Sequence, residues 1–579
     1  MNRISLAVAT ALIGFSTVAH GALTLKPVGS YQSQAALFDK GAAEIVAYDA
    51  STQRIFVVNA QDGTVDVLDG SDPANPSPVG QINAKAVPGY DPTTLGSANS
   101  VAARDGLVAV AIEANPVTNP GVVAFYDATT LAFIRSVPAG ALPDAVTFSN
   151  TGHFVIVSNE GEPRAPVDPE GSVTIVDVRK KGKKPGFESC TVDFKAFNSQ
   201  RAALVAAGVY IDPGAASVAQ DLEPEYASAQ GNNAYVALQE NNAIAVVQLN
   251  QCRVARIMPL GVKNHGLPQN SLDTSDREIS STQGRISLRS WQNLYALYQP
   301  DSIASYEADD GETYLVIANE GDVRDPLNSG RPADGVAVST LTLDPAAFPV
   351  STEPKSDKNL GRLIVNRTLG YYTDASGQRV FDRLFAYGGR SFSIYTNDGH
   401  QVYDSANDFE SIIANKVGSG DLPQQAFNAT HNNNAAGQVP GASTNTFDSR
   451  SDDKGPEPEG VVVGRVGDRV YAFVGLERIG GVMVYDVTDP RNAFYVSYVN
   501  PRDFSQGVCT AVTSVPAAPP SSRNGGACSN NMPNPLAGDL GPEGLAFVPA
   551  KDSPNGVPLV IVGNEISGST RVYEVVSTD

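Results

Sequence analysis

The sequence predicts an all-β protein, a β-propeller of about eight blades, or seven if its weakest unit is an insertion. Three observations predict it. A unit of a short strand with an acidic lead, a turn, a strongly apolar strand, a second turn and an alternating strand recurs along the chain. Its runs are rich in Val, Ile, Tyr and Ala and are bounded by Gly, Asn, Asp or Pro, which is strand-and-turn chemistry. Helical periodicity is nearly absent, QRAALVAAGVYID near 200–212 being the one short helix expected. The 53 glycines and 39 prolines among 579 residues suit a fold with many turns.

The first unit, AEIVAYDASTQRIFVVNAQDGTVDVLD (43–69), is complete. SVAARDGLVAVAIEANPVTNPGVVAFYD (100–127) follows, then DAVTFSNTGHFVIVSNEGEPR (144–164) closing with GSVTIVDV (171–178). EPEYASAQGNNAYVALQENNAIAVVQL (223–249) and DSIASYEADDGETYLVIANEGDVR (301–324) continue the series. EPEGVVVGRVGDRVYAFVGLERIGGVMVYDV (457–487) and GPEGLAFVPAKDSPNGVPLVIVGNEISGSTRVYEV (541–575) end it. The weak unit, RLFAYGGRSFSIYTNDG (383–399), lacks the acidic lead. LTLKPVGSYQ (23–32) is expected to supply the missing outer strand of the last blade and so join the two ends of the ring. Long insertions near 179–222, 251–299, 326–380, 404–455 and 503–540 read as covers, with HNNNAAGQVPGASTNTFDSRSDDKG as a mobile flap.

Residues 1–21 read as a signal peptide: Arg3 is the positive lead, residues 5–15 are apolar, and Ala19-His20-Gly21 is a small-x-small cleavage site. That leaves 22–579 as a single propeller domain with insertions. No membrane span is expected, and the C-terminal VYEVVSTD carries no sorting tail or lipid signal, so the protein is expected in the periplasm or outside the cell. Four cysteines pair in three ways. Cys509 and Cys528 bracket one Pro/Gly/Ser-rich loop and are expected to bridge, leaving Cys190 with Cys252. The net charge of -21 argues against nucleic acid or anionic membrane as partner and permits cation binding.

First strands of propeller blades line a central channel, so equivalent positions form rings. Glu44, Asp144, Glu223, Asp301, Glu457 and Glu543 open first strands, with Glu225 and Glu459 two residues later on the same face of an ideal strand. Glu113, Glu160, Glu240, Glu320, Glu477 and Glu565 close second strands, often as Asn-Glu. Crowded carboxylates take up protons or bind cations, and many hard oxygens suit Ca²⁺, with a second metal left open. Five scattered histidines and no H-e-x-x-H pattern count against zinc. The expected metal ligands are Glu160, Glu223, Glu320, Glu457, Glu459, Glu543 and Glu565. Arg164 and Arg324 stand close behind Asn-Glu pairs, Arg390 sits at the matching turn of the weak unit, and Arg478 follows Glu477. Each balances charge in a salt bridge or, beside calcium, clamps a phosphate ester. Nucleophile-elbow, Walker and dinucleotide fingerprints are absent, and His153, His265, His400 and His431 lack triad spacing.

Long blocks of the chain, among them QPDSIASYEADDGETYLVIANEGDVRD, YGGRSFSIYTNDGHQVYDS, SDDKGPEPEGVVV, AFVGLERIGGVMVYD and GDLGPEGLAFVPAKDSPNGVPLVIVGNEISG, carry a resemblance. They resemble the choice-of-anchor I exported proteins, related to mesenchyme-specific surface glycoproteins. Some relatives are described as atypical alkaline phosphatases, so the resemblance implies a phosphoester hydrolase. The expectation is a secreted, calcium-dependent phosphomonoesterase acting on a small phosphorylated substrate. The alternatives are a non-catalytic calcium-binding propeller handling mineral, matrix or surface polymer, and an esterase or lactonase on the same scaffold.

Overall fold

The computed structural model describes residues 22–578 apart from 34–35, 182–183, 282, 325–329, 331, 432–446 and 511–531. The signal peptide, most of the expected flap and Cys528 lie outside the described residues.

Among the described residues seven four-stranded antiparallel sheets form. Blade 1 is Val46–Asp49, Arg54–Asn59, Thr64–Asp69 and Ser77–Asn83. Blade 2 is Leu95–Arg104, Leu107–Ala114, Pro120–Asp127 and Phe133–Ala141. Blade 3 is Pro143–Phe148, Phe154–Asn159, Ser172–Asp177 and Glu188–Asp193. Blade 4 is Pro224–Gln230, Asn233–Leu238, Ala243–Gln248 and Arg253–Pro259. Blade 5 is Ile303–Glu307, Thr313–Asn319, Ser391–Thr396 and Gln401–Asp404. Blade 6 is Pro458–Val466, Arg469–Leu476, Val482–Asp486 and Phe494–Val499. Blade 7 is Pro542–Val548, Leu559–Asn564 and Ser569–Thr578, closed by Ala22–Gln32. That closing strand completes the last blade as the sequence predicts, with Leu25 opposite Val575. Inner strands of successive blades touch, and that of blade 7 touches that of blade 1, so the ring is complete.

The weak unit is not a blade of its own. Ser391–Thr396 is the third strand of blade 5, while Leu384–Tyr387 leaves the ring. It pairs in parallel with Leu294–Leu297 in a five-stranded satellite sheet that also holds Val262–Asn264, Ile364–Asn366 and Gly335–Ala337. The insertions 251–299 and 326–380 thus fold together, around a small core including Leu294, Leu341, Phe348, Leu363 and Leu384. Among the described residues two α-helices form where the sequence reading expects one. Arg201–Ala207 is the expected one; Asp408–Ser419 has Asp408 and Glu410 in its first turn, Lys416 in its last and left-handed Gly420 as its cap.

The continuous apolar runs of the second strands follow from how blades pack. Strand side chains alternate between faces, and each blade has a neighbour on both. Ile55 and Val57 of blade 1 meet Leu559 and Ile561 of blade 7, whereas Phe56 and Val58 meet Val108 and Val110 of blade 2. Each such side chain contributes about 1.5–3 kcal/mol by burial. Ile561→Ala is expected to lower unfolding free energy by about 2–5 kcal/mol, read as a fall in denaturant midpoint. The disulfide Cys190–Cys252, with Cα atoms 6.4 Å apart, joins the outer strand of blade 3 to the turn before that of blade 4. It belongs to an oxidising compartment and fits an exported protein. Cys509 is also disulfide-bonded.

Candidate functional site

Five inner strands carry one extra residue where they enter the ring. Pairing steps from Pro143 to Ala145, Pro224 to Ala227, Pro458 to Val461, Pro542 to Leu545 and Leu95 to Ala98, each one residue more than the partner strand advances. In four of them the residue after the proline is acidic: Asp144, Glu225, Glu459 and Glu543. Asp301 follows Pro300 in the same way. Proline, lacking an N–H, suits such a position, and the bulge re-aims the next side chain. Glu44, Asp144, Glu225, Asp301 and Glu543, with Glu113, Ser97 and Asn99, line one cavity of ≈ 380 Å³. Glu459 repels Glu543 and Asp301 from beside it.

The second strands add their own acids. Buried Asn159 and Asn319 donate to hydroxyls of the third strand, Ser172 and Thr174 at 3.2 and 3.1 Å, Ser391 and Ser393 at 3.1 and 2.8 Å. Asn564 donates to the Ser569 carbonyl at 3.0 Å. The Asn of the repeated Asn-Glu therefore ties off the blade, and the Glu enters the central tiers. Oxygens of Glu44, Glu543 and Glu565 come within 4.8 Å of one another. Gly563 permits this: a Cβ there would meet the Glu44 carbonyl oxygen at 1.9 Å.

No lysine, arginine or histidine forms an ion pair with Glu44, Asp144, Glu160, Glu225, Glu240, Asp301, Glu459, Glu543 or Glu565 among the described residues. The Oε2 atoms of Glu240, Glu459 and Glu543 are buried with no hydrogen-bond partner. Several of these side chains keep some surface open to the channel, yet all sit deep among protein atoms, so burial dominates their protonation. Burial, then Glu565 and Asp144, pushes Glu44 up to about 8. Burial raises Asp144 to about 6, against a hydrogen bond with Glu225, and Glu565 to about 7, against Arg478. Burial and neighbouring carboxylates push Glu160, Glu225, Glu240, Asp301, Glu459 and Glu543 well above the usual range. An all-oxygen set with orphaned acceptors and, among the described residues, no directly ion-paired cation fits a hard divalent cation such as Ca²⁺.

A second trio, Glu320, Glu457 and Glu477, is as tight but carries its own cations. Glu457 accepts from Arg450 Nε at 2.7 Å, Lys454 Nζ at 3.1 Å and Arg478 Nε at 3.2 Å. Lys454 also bonds Glu320, and Arg478 bonds Glu477 at 2.9 Å. Burial opposes ionisation of Glu457, but Arg450, Lys454 and Arg478 outweigh it and hold the group well below its ordinary value. Burial and Arg478 keep neighbouring His431 neutral.

The seven expected ligands therefore divide. Glu160, Glu459, Glu543 and Glu565 belong to the unpaired acidic cluster. Glu320 and Glu457 are paired in the second trio, and Glu223 is paired with Arg324. The ring in register is Glu225 and Glu459, because Glu223 and Glu457 precede the bulge, which breaks the two-residue period.

The four arginines do not assemble into one clamp. Arg390 is buried and spends its guanidinium on Glu410 at 3.0 Å and on the carbonyls of Asp273, Ser451 and Asp453 at 2.6–2.8 Å. Arg324 is buried against Glu223 and the Asp221 carbonyl, at 2.9 Å from the latter. Arg164 pairs with Glu162 on a half-exposed turn. Only Arg478, with 25% of its side chain exposed, combines an open face with the acidic tiers. Glu44, Asp144, Glu225 and Asp301, though recognised as acidic first-strand positions, were missing from the expected ligands. The signal that finds the last three is the Pro-Asp or Pro-Glu pair repeated at 143–144, 224–225, 300–301, 458–459 and 542–543.

Gigasin-3a of Magallana gigas is 28% identical over 224 residues, 38% of this chain and 67% of that protein. A mesenchyme-specific cell surface glycoprotein of Strongylocentrotus purpuratus is 30% identical over 304 residues, 48% of this chain. That match spans 36% of the glycoprotein, so the chain covers little more than a third of it. Solved structures with a similar chain path include the Kuenenia stuttgartiensis hydrazine synthase, at 11% identity, TM-score 0.43 and coverage of 95% and 99% of the two chains. A β-propeller domain from Myceliophteria thermophila is 8% identical, with TM-score 0.39 and coverage of 96% and 100%. The choice-of-anchor I domain profile matches residues 44–490, opening on the first channel carboxylate, and the chain belongs to the choice-of-anchor I domain family.

Proposed function

We propose that this is an exported calcium-binding propeller whose central channel is the ion site, working on surface or matrix polymer. The observation that carries this reading is the set of nine clustered carboxylates with no ion-pairing side chain among the described residues and three orphaned buried oxygens. Glu44, Glu543 and Glu565 would hold the ion, with Asp144, Glu225, Asp301 and Glu459 around it. The name of the Strongylocentrotus purpuratus relative, a cell surface glycoprotein, supports work outside the cytoplasm. Calorimetric titration of chelator-stripped protein is expected to show saturable calcium binding that Glu44→Gln with Glu543→Gln weakens. Calcium binding unchanged in that double variant would refute the assignment.

A second reading, a calcium-dependent phosphoester hydrolase, is favoured by Arg478 alone, whose partly exposed side chain lies beside the acidic tiers. In that reading the ion supplies Lewis acidity, and Arg478 donates to a phosphate oxygen. Water oxygen bonds to phosphorus as the ester P–O bond breaks; a channel carboxylate takes the water proton and the leaving alkoxide gains one. Turnover of p-nitrophenyl phosphate that chelator abolishes and Arg478→Lys reduces about 100-fold is the result this reading requires. Absence of turnover, with calcium binding intact, leaves the binding reading alone.

A further inference from the structure

Away from the channel, the satellite layer holds a third tight acidic group. Oxygens of Asp273, Glu278 and Asp448 lie within 4.8 Å of one another. Asp273 and Glu278 come from the 272–289 loop, whose base is closed by pairing of Leu272 with Arg289. Asp448 comes from the other insertion, and the Ser451 hydroxyl donates to its Oδ1 at 2.5 Å. Its Oδ2 has no partner although Asp448 is 0% exposed, and Glu278 Oε1 is likewise buried and unpartnered. Both atoms belong to residues of the trio.

The nearby cations are engaged elsewhere. Arg277 pairs with Asp276 and Asp357, Arg362 with Asp276 and Asp452, and Arg390 with Glu410. None pairs with the trio. The backbone presses close as well, for a Cβ at Gly284 would stand 2.0 Å from Asp448 Oδ2. Three carboxylates facing one another at the junction of two loops, with oxygens left over and no ion-paired cation among the described residues, are a hard-cation arrangement. No sulfur or imidazole joins it, which removes the softer metals.

We propose that Asp273, Glu278 and Asp448 bind a calcium ion that pins the 272–289 loop to the turn at 448–455. That turn carries Arg450 and Lys454 into the second channel trio. The ion is thus a staple between the satellite layer and the channel wall, separate from the channel site. Burial and mutual repulsion, which raise Asp273 to about 8 and Asp448 to about 10 when no ion is bound, fit a group that needs one.

The test uses terbium, a luminescent calcium mimic, on full-length protein. Trp291, the sole tryptophan, follows Arg289 of the loop closure by two residues and serves as selective sensitiser. Tryptophan-sensitised terbium emission, displaced by calcium, is expected in the parent protein and in Glu543→Gln. Asp448→Asn and the milder Glu278→Gln should each weaken it by roughly tenfold or more. Both should also melt no lower than the parent in chelator, since each replaces one of three crowded carboxyl groups by a neutral amide of similar size. Emission unchanged in Glu278→Gln, or emission lost in Glu543→Gln and kept in the loop variants, overturns the proposal. Should Asp448→Asn fail to fold, Glu278→Gln decides by itself.

Discussion

Replacing Glu457 and Glu543 by glutamine is expected to move stability in opposite directions. Glu457 is fully buried and answers three cations, so its loss leaves Lys454 and Arg478 with Glu320 and Glu477, and Arg450 with Asp453 alone among the described residues. Removing one partner of a buried ionic cluster costs about 3–5 kcal/mol. Glu543 answers no cation and carries an orphaned oxygen beside Glu44 and Glu565. Glutamine there keeps the volume and removes repulsion, so the chelated variant should unfold at higher denaturant than the parent. Its calcium increment, about 2.7 kcal/mol at a hundred times Kd, should shrink or vanish. Denaturant melts of the three proteins, with calcium and with chelator, read all of this. Equal losses in both variants under chelator would mean that the Glu543 charge is satisfied, against the geometry.

The chelated protein should also lose stability as pH rises through the range where most proteins are steadiest. Glu44 shifts from an ordinary 4.5 to about 8, Glu565 to about 7 and Asp144 from 3.8 to about 6. A carboxyl raised in the fold keeps its proton where the unfolded chain has released it. Its contribution is therefore whole below the ordinary value and lost as pH rises to the folded value. Glu457 acts in reverse: held low by Arg450, Lys454 and Arg478, it loses its contribution as pH falls below its ordinary 4.5. Stability without calcium should peak near pH 5 and decline towards pH 8. Calcium should flatten that decline by replacing protons, so its stabilising increment should be greater at pH 8 than at pH 5. Thermal melts across that range, with and without chelator, check both slopes. A decline that calcium leaves untouched would move the titrating groups outside the ion site.

Much of the ring was legible because each blade is a local pattern. Apolar second strands, the turns between them and the closing Ala22–Gln32 strand all follow from residues near one another in sequence or from the unpaired edge of the last unit. The weak unit at 383–399 misled for a tertiary reason. Its two halves satisfy different sheets, and strand propensity does not say which partner a strand will find. The helix Asp408–Ser419 was missed although its charges and glycine cap were present, because the polar insertion around it hid the period.

By itself the sequence determined the fold class and the acidic first and second strands, set by composition and repeat. Cys190–Cys252 was one of three pairings it allowed, and the structure made the choice. Only the tertiary structure decided which carboxylates are free. Whether a glutamate faces an arginine depends on insertions that return from more than a hundred residues away, as Lys454 does to Glu320 and Arg324 to Glu223. A single added residue at each bulge then turns Asp144, Glu225, Glu459 and Glu543 inward, and no strand period foretells that turn.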